Sequence, residues 1–250
     1  MALRDDLGNR MKENYENRSK TYLTRRVPVI MRLDGRAFHS FTKQMRKPFD
    51  DILVKTMQDT MLDLCKNVQG CVLGYTQSDE ITLVLVDYKT LESEAWFDYQ
   101  VQKIVSIGAS IATLSFNKHF AENVAEMTGN TDEFKAYAKK LGQAMFDARA
   151  FNIPKEEVCN CVLWRQMDAE RNSVQMVAQA NFSHKELQGK SCNELQDMLM
   201  LQKGINWNNF PTYLKRGSCA VRNNDGWFVD LDIPKFVNEG RDYIEKRINF

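Results

Sequence analysis

A short run, Val27 to Leu33, apolar but for Arg32, stops abruptly at Asp34-Gly35. Two more apolar runs, Cys71 to Tyr75 and Ile81 to Val86, are joined only by the polar stretch Thr76-Gln77-Ser78-Asp79-Glu80. Runs of this length, rich in branched residues and bounded by turn formers, predict strands. A connection this short between two of them predicts a hairpin, so the sheet must contain antiparallel neighbours. Between the first strand and the hairpin, Ile52, Leu53, Met57, Met61, Leu64 and Cys65 recur at helical spacing across residues 49–67. A second long helix is expected over 92–117, burying Ile104, Val105, Ile107, Ala109 and Ile111.

The order strand, helix, hairpin, helix predicts an α+β fold: an antiparallel sheet with helices packed on one face, laid out like the palm of nucleotide polymerases and nucleotidyl cyclases. A C-terminal, mostly helical extension should follow. Gly129-Asn130-Thr131-Asp132 marks a boundary, giving a catalytic unit over 1–135 and a C-terminal region over 136–250 packed on it. In that second part helices are expected near 133–142, 168–181, 183–189 and 191–203, with strands near 145–151 and 158–163. Residues 5–20 also carry helical spacing.

No apolar run reaches the roughly 18 residues of a membrane span, and the first residues, Met-Ala-Leu-Arg-Asp-Asp, lack the apolar core of a signal peptide. A cytoplasmic protein with reduced thiols is expected. Its six cysteines and three histidines show no zinc-ligand spacing, and Cys159 and Cys161 are read as alternate positions on a strand. Net charge is +1, yet basic residues cluster in 1–26, at Lys43, Arg46 and Lys47, and at Lys135, Lys139 and Lys140. Such local clusters suit salt-sensitive contact with phosphates.

The chemistry lies where strands stop. If the first strand neighbours the hairpin, Asp34 and Asp79 project into one space. Two carboxylates about 5 Å apart repel by roughly 3 kcal/mol at an effective dielectric near 20. Divalent cations between them relieve that repulsion, and oxygen-only ligands beside phosphates favour magnesium. Two such ions could clamp a triphosphate for in-line displacement. Gly35 would allow close backbone approach, and the amides of Arg36, Ala37 and Phe38 could cradle phosphate oxygens. The plainer reading makes Asp34-Gly35 and Ser78-Asp79 simple turn residues.

Four ordered segments decide between these readings. Arg32-Leu33-Asp34-Gly35-Arg36-Ala37-Phe38-His39-Ser40-Phe41 and Gly74-Tyr75-Thr76-Gln77-Ser78-Asp79-Glu80 resemble the signatures of the tRNA(His) guanylyltransferase superfamily. Lys47-Pro48-Phe49-Asp50 and Lys103-Ile104-Val105-Ser106 are similar to further family segments, and Trp164-Arg165-Gln166-Met167-Asp168 matches more loosely. The resemblance implies a palm-like enzyme that adds nucleotides in the 3′–5′ direction. It implies that Asp34, Asp79 and the Gly35 carbonyl hold two magnesium ions, with Glu80 shaping the site. Arg36, Ala37, Phe38, His39 and Ser78 would bind the incoming nucleotide, and Lys47 and Lys103 its triphosphate. The family implies ATP and GTP or other nucleoside triphosphates as substrates, tRNA as partner, and a homotetramer.

One departure matters. After the Arg-Gln-X-Asp element, classical members carry His-Ile-Asn-Asn-Leu-Tyr-Asn, whereas this chain reads Glu170-Arg171-Asn172-Ser173-Val174-Gln175-Met176. Phe182-Ser183-His184-Lys185-Glu186-Leu187 and Gly204-Ile205-Asn206-Trp207 are similar to the guanylyltransferase-like branch, whose members extend 5′-truncated tRNAs against a template. Templated repair is therefore the expected activity. Untemplated G addition to tRNA(His), or a cyclase that needs no RNA, are the alternatives. His184, Lys185, Lys215 and Arg216 are candidate RNA contacts, while Trp164 and Phe182 are read as core.

Overall fold

The computed structural model describes residues 2–127 and 131–250. Among these, six strands form one sheet: β1 (Val29–Gly35), β2 (Cys71–Gln77), β3 (Glu80–Leu85), β4 (Phe146–Asn152), β5 (Ser218–Asn223) and β6 (Gly226–Asp230). Their order is β4-β1-β3-β2-β5-β6, with every neighbouring pair antiparallel. The helices are α1 (Ala2–Met11), α2 (Phe38–Phe41), α3 (Asp51–Asn67), α4 (Val101–Ala125), α5 (Thr131–Ala138), α6 (Val158–Asn181), α7 (His184–Leu187), α8 (Cys192–Lys203), α9 (Thr212–Arg216) and α10 (Asp242–Glu245).

Alternation along the central strands feeds two cores. Val29, Met31 and Leu33 of β1, with Ile81, Leu83 and Leu85 of β3, pack against Met61 and Leu64 of α3 and Phe116 of α4. Ile30, Val84 and Tyr75 face the other way, onto Val158 and Val162 of α6 and onto Phe236 and Ile244. Both faces of β1 and β3 are therefore covered, which explains apolar runs interrupted only by Arg32 and Thr82, opposite each other on the two strands. Helices α3 and α4 take one face as expected, and the C-terminal extension takes the other. The sheet draws three strands from before residue 135 and three from after it.

Several expectations change. Residues 158–163 are the first turns of α6, not a strand, so Cys159 and Cys161 do not alternate across a sheet. Val158, Cys159 and Val162 are buried on one helical face, and Pro154 with Glu156 and Glu157 supplies an ordinary helix start. The long helix starts later and ends later than expected, at Val101 and Ala125, after a turn at Trp96–Tyr99 in which Phe97 and Asp98 are left-handed, at φ of 48° and 53°; Ile107 is exposed rather than buried. Strand β5 carried no sequence expectation, because its apolar run is only Cys219-Ala220-Val221. Gly129 and Asn130 of the expected boundary lie outside the described residues.

Behind the Gly35 end of β1, Phe116 meets Phe38, Phe41, Phe120 and Phe146 at ring-centroid distances of 5.3–5.7 Å. Its side chain is fully buried. Phe116→Ala should lower the unfolding free energy by about 3–5 kcal/mol in a denaturant titration, the cost of an aromatic-sized cavity.

Candidate active site

Asp34 is not a turn residue. It sits inside β1, directly opposite Glu80 on β3 and Asp147 on β4, and Glu80 in turn faces Gln77 on β2. Directly opposed residues of an antiparallel pair share a face. A row Asp147–Asp34–Glu80–Gln77 thus crosses four strands on the α6 side of the sheet. The hairpin turn shrinks to Ser78-Asp79, with Ser78 at a φ of 50°. The Gly35 amide donates to the Asp79 carbonyl at 3.0 Å, tying that turn to the end of β1.

These carboxylates do not have equal surroundings. Glu80 is buried and accepts from Arg165 Nε at 2.6 Å, with Arg32 Nε at 4.0 Å. Arg165 also donates to Asp168 at 3.0 Å, and both arginines lie over the Trp164 ring, at 5.4 and 4.5 Å. Neither Asp34 nor Asp79 pairs with a basic side chain among the described residues; Asp79 accepts from its neighbour Ser78 Oγ, at 3.1 Å. Burial pushes the Asp79 carboxyl above its ordinary value, and the Asp34 charge pushes it the same way. Burial also raises the Glu80 carboxyl, while Arg165 and Arg32 pull it back. The unpaired acids, Asp34 and Asp79, are the ones a cation would relieve. Among the described residues no three His, Cys, Asp or Glu side chains converge on one point. A cation here would complete its shell with a backbone carbonyl such as that of Gly35 and with substrate oxygens, as magnesium does. The donor set fits.

Gly35 has a different reason from the one expected. A Cβ there would overlap the Phe38 ring, so the glycine lets α2 fold back over the strand end. Ala37 takes the left-handed region, φ 55°, to start that helix. The Arg36 amide is not free for a phosphate, because it donates to the Met145 carbonyl at 2.8 Å. The amides of Ala37, Phe38 and His39 have no acceptor among the described residues. His39 is exposed and bonded to Ser40 Oγ at 3.0 Å. Beside the turn, a cavity of about 80 Å³ is lined by Phe49, Gln77, Ser78, Asn172, Ser173 and Tyr213, among others; exposed Lys47 lies two residues from its wall.

Other candidates lie elsewhere. Lys103 is on the first turn of α4, over the Phe97 ring, roughly 20 Å along the helix from Phe116 at the Gly35 end. The single chain does not bring it to the carboxylates. His184 and Lys185 are exposed on α7, beyond the end of α6 and about 24 Å along that helix from Arg165. Lys215 and Arg216 are half-buried: Lys215 donates to the Asn208 carbonyl and Arg216 lies 3.4 Å from Glu170. They are engaged within the fold and do not form an open RNA-binding pair. Trp164 is 54% exposed rather than core, whereas Phe182 is partly buried as expected.

The sequence profile described as tRNA(His) guanylyltransferase matches residues 8–154. The chain belongs to the tRNA(His) guanylyltransferase family. It is therefore a nucleotidyltransferase by family. A bacterial tRNA(His) guanylyltransferase-like protein solved in complex with ATP is 41% identical and superposes with a TM-score of 0.87, over 98% of this chain and 100% of that one. Another such bacterial structure, in complex with GTP, is 36% identical with a TM-score of 0.80 over the same shares. The tRNA(His) guanylyltransferase of Saccharomyces cerevisiae is 26% identical over 211 residues, 79% of this chain and 83% of the relative.

Two residues of this guanylyltransferase-family site escaped the sequence reading. Arg165 stood in a recognised segment, but nothing local tied it to Glu80, 85 residues away. Asp147 becomes visible only through the β1–β4 register. Arg165→Ala would leave Glu80 buried with only Arg32, 4.0 Å away, as counterion and should cost about 3 kcal/mol at neutral pH. A carboxyl raised in the fold binds its proton more readily folded than unfolded. The deficit against wild type should therefore narrow as pH falls toward about 5, measured by denaturant unfolding at each pH.

Proposed function

We propose that this chain adds nucleotides to the 5′ end of truncated transfer RNA in the 3′–5′ direction, reading the opposite strand as template. The observation that carries this reading is the pair Asp34 and Asp79, both without a basic partner among the described residues, at adjoining strand ends beside free amides. Support for the repair branch comes from the likeness to guanylyltransferase-like proteins bound to ATP and GTP, and from Glu170-Arg171-Asn172 in place of the classical His-Ile-Asn.

Magnesium held by Asp34, Asp79 and the Gly35 carbonyl would neutralise phosphate charge and favour in-line displacement. The remaining work belongs to the chain. The amides of Ala37, Phe38 and His39, with the Ser78 hydroxyl, orient phosphate oxygens. Lys47 adds charge from the cavity edge. Arg165 holds Glu80 away from the cation position, so that Asp34 and Asp79 remain the ligands.

In the first step a tRNA 5′-phosphate oxygen attacks the α-phosphorus of ATP and pyrophosphate leaves. In the second, the 3′-hydroxyl of an incoming nucleotide attacks the activated 5′-phosphorus and AMP leaves. A 5′-triphosphate end skips the first step. We place the enzyme in the cytoplasm as a homotetramer. Among the described residues no helix is long and apolar enough to cross a membrane.

Addition of a single untemplated G to tRNA(His) is the second reading, favoured by the name of the yeast relative. Incubating 5′-labelled truncated tRNA with each nucleotide separates the two: templated repair requires the added base to complement the opposite strand. Addition of G regardless of that base would select the second reading.

Asp34→Ala or Asp79→Ala should reduce addition by at least about 100-fold, as loss of charge stabilisation in a transfer site does. Their circular dichroism should stay unchanged. Turnover near wild type from either variant would remove the metal assignment.

A further inference from the structure

A basic cavity lies at the other end of the sheet. A cavity of about 530 Å³ opens where β2 begins and β3 ends, lined by Lys89, Arg222, Lys246 and Arg247. None of these four cations forms an ion pair with a carboxylate among the described residues. In a protein of net charge +1 that concentration is a local field, not an average property. Arg247 lies 4.2 Å from the Tyr243 ring centroid and donates to the Tyr243 carbonyl, which fixes its guanidinium at the wall.

Aromatic surface sits among the charges. Half-buried Trp227 faces Arg222 across the β5–β6 hairpin, and Phe250, 54% exposed, lies beneath Lys89 at 5.4 Å. The floor is rigid. Gly70 turns at a φ of 79° so that its carbonyl accepts from Val86, and any Cβ there would press on the Val86 carbonyl at 2.7 Å. Glu92 and Glu94 close one side. They disfavour a compact polyphosphate filling the whole cavity, yet can accept from exocyclic amines of a base. Phosphate-binding cations, stacking rings and base-edge acceptors together describe a nucleotide unit.

Position shows which molecule supplies that unit. Glu80 and Leu85 are five residue steps apart on β3, about 17 Å, and the cavity begins beyond Leu85. A nucleotide there cannot share the transfer reaction at Asp34, whereas an RNA reaching from the reaction centre can touch both. We propose that this cavity is a second, non-catalytic nucleotide site that grips the RNA substrate at a distance from the end being extended. This rests on the reading of the chain as a tRNA-end enzyme.

Fluorescence anisotropy of a labelled tRNA transcript, across a salt series, tests it on the full chain carrying Arg222→Ala and Lys246→Ala. Both side chains are exposed, and thermal unfolding should match wild type. We expect about tenfold weaker tRNA binding and a log–log salt slope reduced by about 2, one for each lost phosphate contact. Turnover at saturating tRNA should not change. Affinity and slope equal to wild type would overturn the site while leaving the activity reading intact; wild type that binds tRNA but adds nothing would do the reverse. Free nucleotide is the other source of the same chemistry. Any ATP binding that remains in the Asp34→Ala protein should be unaffected by adding Arg222→Ala and Lys246→Ala. Residual binding that disappears when Arg222→Ala and Lys246→Ala are added would overturn the RNA assignment.

Discussion

The structure is organised around uncompensated negative charge on the central strands. Asp147, Asp34 and Glu80 stand side by side on three adjacent strands. Like charges directly opposed in a sheet are destabilising. The fold neutralises one of them, Glu80, with a buried arginine delivered by α6. Asp147 takes Arg149 from its own strand at 3.0 Å. Asp34 has no such counterion among the described residues, and neither has Asp79 at the turn. What remains is a pair of carboxylates without basic partners, the place where we propose that cations and phosphate bind.

Holding α6 in position is what keeps Glu80 paired. Gln166, next to Arg165, donates to the Pro234 carbonyl at 2.8 Å and accepts from the Phe236 amide at 3.0 Å. About two turns further along, Ser173 bonds Trp207 and the Lys215 carbonyl, at 3.0 and 3.1 Å. The C-terminal extension thus does more than cover the sheet: it clamps the helix that carries the Glu80 counterion, and Ser173 also lines the cavity beside Ser78.

Much of this was legible in the chain. The acid at the end of an apolar run and the acid in a short hairpin connection follow from strand pattern alone, and their meeting needs only neighbouring strands. Register was the missing quantity. It moved Asp34 from a presumed turn into β1 and brought in Asp147, which no local signal marks. The error at 158–163 came from a short apolar stretch that satisfies two periods at once. Lys103 was carried by motif likeness, but α4 holds it at the wrong end of the strand. Trp164 looked like core because aromatic residues usually are; two arginines over its ring explain its place at the surface.

The same alternation gives the molecule a narrow tolerance. Leu33 and Asp34 are successive residues of β1, one under α4 and one in the charged row. Sliding that strand by a single position would turn the acid inward among phenylalanines and put a leucine into the charged row. An inserted or deleted residue between Val29 and Gly35 would thus lose core and reaction centre together, so this strand should resist length changes that surface loops accept.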